Sequence, residues 1–185
     1  MSDTRMSEAG ISVFLEEDHQ MTLDTLENLD MALLGLQFEG KSSRGKNLKQ
    51  LRSILGFFQG RLMKHMEREE QVIFPFLESH VPKLASVIHL LEAEHEDFKK
   101  NLKGFRALLQ EIFGGRNGMS RVNTINEIRK TGIYLIYLLR SHVRAESKAV
   151  YQILERELRP AEKKELVRQI AGCEKRGGSR CGAMT

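Results

Sequence analysis

The chain has 185 residues, 41% apolar and 29% charged, with three prolines and no tryptophan, which suits one helical domain with a full core and disfavours a sheet protein. Its +4 charge gathers at 160–185, where six Lys/Arg face three Glu while the preceding segments mix both signs, so no basic stripe marks a nucleic-acid domain. The longest apolar run, Ile133 to Leu139, falls far short of the roughly 20 residues that span a bilayer, and the acidic N-terminus lacks a signal-peptide core, so a cytoplasmic, non-membrane protein is expected.

After a flexible 1–10, the first predicted helix places Leu15, His19, Leu23, Leu26, Leu29, Leu33 and Leu36 on one side, and GKSSRG at 40–45 breaks it. A second register follows through Leu48, Leu51, Leu55, Phe58, Leu62, His65, Glu69, Val72 and Phe76, ending at SHVP, 79–82. The third runs Leu84, Ile88, Leu91, His95, Phe98, Leu102, Phe105, Leu109 and Ile112 to GGRNGMS at 114–120. The fourth runs Ile125, Ile128, Gly132, Leu135, Leu139, His142, Glu146, Ala149 and Ile153. Short connections make consecutive helices antiparallel neighbours, so the expected fold is all-α, an up-down-up-down four-helix bundle over 11–157. The remainder, 158–185, reads as a short helix from Pro160 to Ala171, stopped by Gly172, and a flexible basic tail carrying Cys173 and Cys181. Their spacing matches neither CxxC nor a zinc ribbon, and exposed thiols are expected.

Six of these core positions are polar: His19, His65, Glu69, His95, His142 and Glu146. Positions equally far from a shared loop lie at one height on antiparallel helices, and these six fall about 20, a dozen and 20 to 25 residues either side of successive loops, which puts them in one layer. A lone imidazole or a lone HxxxE pair is common on any helix. Six together would leave buried ions without partners, at several kcal/mol each, unless a cation joins them. Four nitrogens and two carboxylates suit two first-row metal ions better than one tetrahedral zinc, with iron first and manganese second.

His19, then HMEREEQVIFPFLE, LEAEHEDF and HVRAESKAVYQIL together resemble the hemerythrin-like, or HHE cation-binding, family over roughly residues 11 to 157. The resemblance implies a non-haem di-iron centre with oxo or hydroxo bridging, His19 and His65 serving one iron, His95 and His142 the other, and Glu69 and Glu146 shared. Invertebrate oxygen carriers place another histidine one turn beyond the third-helix ligand and an aspartate late in helix four. This chain has Lys99 and Glu146 there, and Leu91 one turn before, which argues against reversible oxygen carriage. The four-His, two-Glu set is more similar to bacterial iron-sulfur-cluster repair proteins and to the iron-sensing domain of an F-box protein, although no N-terminal Cys-bearing repair domain is present.

The expected function is therefore binding of, or reaction with, O2, peroxide or NO at the di-iron centre in stress response or iron-centre maintenance. The alternative is an iron- and oxygen-sensing module without turnover, for a protein partner the sequence does not identify. Phe58, Leu62, Phe98, Leu139 and Ala149 are expected to wall the site with apolar surface. Glu16 and Glu92 also write a ferritin-like ExxH pattern with His19 and His95. That scheme strands His65 and His142, so the two glutamates are read instead as acceptors for the free N–H groups of His19 and His95. His80 and His89 are expected to cap or face solvent.

Overall fold

A computed structural model describes residues 11–38, 41–114 and 121–175, all in helices or short joints, with no strand among them. Helix α1 is Ile11–Phe38. Helix α2, 41–80, is α-helical at Lys41–Phe57, Met63–Arg68 and Phe74–His80, with π-helical turns at Phe58–Leu62 and Glu69–Ile73. Helix α3 is Ala85–Gly114. Helix α4, 121–157, joins Arg121–Glu146 to Gln152–Glu157 through a π-helical turn at Ser147–Tyr151. Helix α5 is Pro160–Lys175.

One of the two joints has a plain cause. Val81 leaves helical backbone at φ −135° and ψ 67° before Pro82, because the residue preceding a proline is pushed out of the α region. Leu158 is extended, with ψ 132°, before Pro160 opens α5. Helix α1 packs on α2 and α4, and α3 on α4 and α2, giving a bundle. Gly132 allows close approach of α4 to α1, since a Cβ there would lie 2.7 Å from Leu33 Cδ1. No described helix is long and apolar enough to cross a membrane.

The core is divided. One apolar cluster joins Leu26, Leu29, Leu51, Phe58, Phe98 and Leu135 with their neighbours. The other joins Leu15, Ile73, Phe74, Leu91, Val150 and Leu154. Helix α5 belongs to this second cluster through Leu166 and Ile170, both fully buried.

Several expectations need correction. The connection at 40–45 is shorter, because α2 is helical from Lys41 and a glycine in a helix's first turns costs only about 1 kcal/mol. Gly172 does not stop α5, which runs to Lys175 and so carries Cys173 into the second cluster, 6% exposed and 3.8 Å from Gln71 Oε1, rather than leaving it in solvent. Ala149 and Ile153 are only half-buried, and Val150, Tyr151 and Leu154 face inward instead. The π-helical turn explains this, since one extra residue per turn advances the inward positions. The expected flexible segments 1–10 and 176–185, with Cys181, and most of the 114–120 connection lie outside the described residues.

Helix α5 as part of the core gives a direct test. Leu166→Ala should destabilise the chain by about 2–5 kcal/mol, whereas Ala at Tyr137, which is 75% exposed, should change it by under about 0.5 kcal/mol. Denaturant melts of both variants check this, and equal midpoints would contradict it.

Candidate metal centre

All six predicted residues converge between the two apolar clusters, each at most 4% exposed. His19, His65, Glu69 and Glu146 offer ligand atoms within 4.8 Å of one another, and so do Glu69, His95 and His142. The two sets share Glu69, whose Oε1 lies 2.9 Å from His65 Nε2 and whose Oε2 lies 3.6 Å from His95 Nε2. Glu146 does the same from the opposite side, with Oε2 3.1 Å from His19 Nε2 and 3.4 Å from His142 Nε2. His95 and His142 face each other Nε2 to Nε2 at 3.1 Å.

Direct hydrogen bonding does not satisfy this layer. His65 Nε2, Glu69 Oε2 and Glu146 Oε1 are buried without a hydrogen-bond partner in the protein. The 2.9 Å approach of His65 Nε2 to Glu69 is thus a contact in the wrong orientation for a hydrogen bond. Buried polar atoms of this kind cost about 1–3 kcal/mol each. Nitrogen and carboxylate donors packed this closely around unfilled valences fit a pair of metal ions.

The outer ring nitrogens are held in a closed circuit. His65 Nδ1 faces Asp18 Oδ2 at 3.3 Å, and His95 Nδ1 faces Glu70 Oε1 at 2.8 Å. His142 Nδ1 faces Glu94 Oε2 at 2.9 Å, and His19 Nδ1 faces Ser147 Oγ at 3.0 Å. Each partner is the sequence neighbour of a site residue on the adjacent helix: α1 serves α2, α2 serves α3, α3 serves α4, and α4 serves α1. An Nδ1–H donated outward leaves each Nε2 lone pair inward, the tautomer a metal ligand needs. Glu16 and Glu92 do not take this role. Glu16 is exposed and Glu92 half-exposed, because a side chain one turn along the same helix points beside the ring, whereas a neighbouring helix meets its edge. The ferritin-like alternative fails with them, as Glu16 lies outside the cluster.

The circuit is itself anchored. Asp18 accepts from Arg61 Nε at 2.8 Å and from an Arg68 guanidinium nitrogen at 2.6 Å. Lys99 Nζ reaches both Glu70 oxygens at 2.9 and 3.0 Å, and Glu96 at 2.8 Å. Lys99 therefore supports His95 through Glu70 instead of adding a nitrogen to the centre. His80 caps α2 through the Phe76 carbonyl, and His89 is exposed beside Glu78, both as expected. Of the predicted wall, Phe58, Leu62, Phe98 and Leu139 are buried, and Ala149 is not fully so.

Tyr151 is the residue that the sequence reading missed. Fully buried, its hydroxyl donates to Glu69 Oε1 at 2.8 Å and lies 3.2 Å from His19 Nε2, while its ring stacks on His19 at 4.9 Å. Phe74 stacks in the same way on His95, at 5.8 Å. A signal existed: HMEREEQVIF at 65–74 and HVRAESKAVY at 142–151 share the pattern H-x3-E-x4-aromatic. Five residues span one π-helical turn, so the aromatic falls beneath its glutamate.

These residues settle the class. The hemerythrin HHE cation binding domain matches residues 11–113, more than half of the chain, and the protein belongs to that family. The match takes in His19, His65, Glu69 and His95 and stops before α4. His142 and Glu146 complete the layer in the structure from outside it. No curated protein matches the chain.

In the metal-free protein the layer is strongly charged. Burial pulls the His65 and His142 imidazoles down, but the carboxylates around them win. Glu69 and Asp18 raise His65 to about 10, and Glu146 and Glu94 raise His142 to about 9. Burial pushes Glu146 and Asp18 up, yet His142 and His19 hold Glu146 well below the carboxylate range, and His65 and Arg68 do so for Asp18. Unfolded histidine titrates near about 6.5, so the imidazole contribution is whole below that pH and is lost as pH rises through about 9 to 10. The depressed carboxylates act in the opposite direction: present above their unfolded values near about 4, their contribution falls away in acid. The metal-free melting temperature should therefore peak between roughly pH 5 and 6.5 and decline on both sides. The alkaline decline should vanish once metal is loaded, since coordination needs neutral imidazoles. Thermal melts across pH check this, and an alkaline decline of equal size in both forms would contradict it.

Proposed function

We propose that His19, His65, Glu69, His95, His142 and Glu146 hold two metal ions, iron first and manganese second, and that the centre binds or reacts with O2, peroxide or NO. The observation that carries this reading is the pair of fully buried glutamates, each facing histidines of both halves and each keeping one oxygen unpartnered. On this reading 11–157 is a four-helix, up-down-up-down bundle of a cytoplasmic protein, working in stress response or iron-centre maintenance. When bound, a pair of iron ions supplies Lewis acidity and exchangeable electrons to a small oxidant.

The chain's own residues set the terms. Asp18, Glu70, Glu94 and Ser147 orient the rings; Phe58, Leu62, Phe98 and Leu139 exclude bulk water. Lys99, engaged with Glu70 and Glu96, adds no nitrogen to the His95 side, which on this reading leaves a coordination position for a diatomic or peroxide ligand. A sensing role without turnover draws on a different feature. The six residues come from α1, α2, α3 and α4, so metal binding ties the bundle's stability to metal supply.

Metal analysis of the full chain purified without chelator should find about two ions per chain, the stoichiometry of carboxylate-bridged bundle centres. Glu69→Ala and Glu146→Ala should each lose most of that metal, whereas His89→Ala should keep it. Retention in both glutamate variants would overturn the assignment. Addition of peroxide or NO should change the metal's charge-transfer absorption. A spectrum unmoved by either would leave the sensing role in its place.

A further inference from the structure

The two halves of the centre are near copies of each other, and at their inward aromatic position they differ by one polar atom. In each half a histidine, a glutamate one turn on, and an aromatic five residues further share one face: His65, Glu69 and Phe74 on α2; His142, Glu146 and Tyr151 on α4. Both aromatic rings lie nearly parallel to a histidine of another helix, Phe74 on His95 at 22° and Tyr151 on His19 at 18°. Only the second carries an oxygen. That oxygen sits 2.8 Å from Glu69 Oε1 and 3.2 Å from His19 Nε2, two atoms belonging to residues of one ligand set.

Those two spacings are informative. Adjacent donors on an octahedral ion with bonds near about 2.1 Å stand about 3.0 Å apart. The Tyr151 hydroxyl thus has the separation from both neighbours that donors on one ion have from each other. The phenol donates to Glu69 Oε1 and also meets the inward nitrogen of His19. With the Nδ1–H of His19 turned outward to Ser147, that nitrogen offers a lone pair and not a proton, and a cation shared by phenol, imidazole and carboxylate then accounts for both approaches.

We propose that Tyr151 is a further protein ligand, its phenolate oxygen completing the metal position held by His19, His65, Glu69 and Glu146. This rests on the metal-centre reading above. As the oxygen binds the cation its O–H bond breaks and the proton leaves to solvent, as for any protonated ligand. With Glu69 and Glu146 counted at both positions, the two then differ by one donor. The ion on the His19 side would have more protein donors, so a small exogenous ligand would go to the ion beside His95 and His142.

The test uses the full chain loaded with ferrous iron and oxidised in air. Phenolate bound to ferric iron absorbs in the visible, where imidazole and carboxylate ligands contribute little. The wild type should show this band, and Tyr151→Phe should lose it while its iron content stays within about twofold, because the six other donors remain. Should that variant not fold, resonance Raman spectroscopy of the wild type with ring-deuterated tyrosine gives the same answer: isotope-shifted phenolate modes under visible excitation support the ligand. Iron bound without the band, or with a band that survives Tyr151→Phe, overturns this inference and leaves the metal centre standing. No bound iron at all overturns both.

Discussion

The structure depends on one energetic conflict: four imidazoles and two carboxylates lie in a thin layer between two apolar clusters, out of reach of water. An uncompensated buried ion costs several kcal/mol, and a domain's whole stability is about 5–15 kcal/mol. The layer is tolerable only if its charges answer one another and something fills the valences left over. Proton sharing between acids and imidazoles meets part of that need, which is why His65 and His142 hold their protons so firmly without metal. The unpartnered atoms of His65, Glu69 and Glu146 mark the part that it does not meet.

The backbone bends to serve this layer. In both α2 and α4 a π-helical turn begins at or directly after the glutamate of an HxxxE pair. A regular α-helix would carry the fifth residue beyond Glu69 or Glu146 off the inward face. The wider turn keeps it there and sets an aromatic ring against a histidine contributed by another helix. Insertions of this kind are found preferentially at functional sites. Helix α5 closes the second cluster beneath these turns through Leu166 and Ile170, so the distorted segments are backed by packed apolar surface.

Much of this was legible in the amino-acid order. The 3-4 rhythm that leads into α3 runs from Leu84 to Ile112 without interruption, and its positions are buried as far as Leu109, with Ile112 partly so. The same rhythm picks out all six polar residues of the layer, because a polar side chain in an apolar register stands out wherever the helix is regular. What stayed hidden has two physical causes. Counting by regular helix turns fails across a π-helical turn, and this is why Ala149 was expected inward where Val150 and Tyr151 are. Contacts between helices are also not encoded in the spacing within one helix: Asp18, Glu70, Glu94 and Ser147 serve rings on neighbouring helices, and Glu16 and Glu92, attractive by their spacing to His19 and His95, do not. The burial of Cys173 belongs with these, since only the docking of α5 brings it under Gln71.

The central claim is that this layer is a dinuclear cation site. Anomalous diffraction from crystals of the iron-loaded protein, measured either side of the iron absorption edge, tests it most directly. Two peaks are predicted, one among His19, His65, Glu69 and Glu146 and one among Glu69, His95, His142 and Glu146. A single peak, or iron located only at the protein surface with the layer empty, would contradict it.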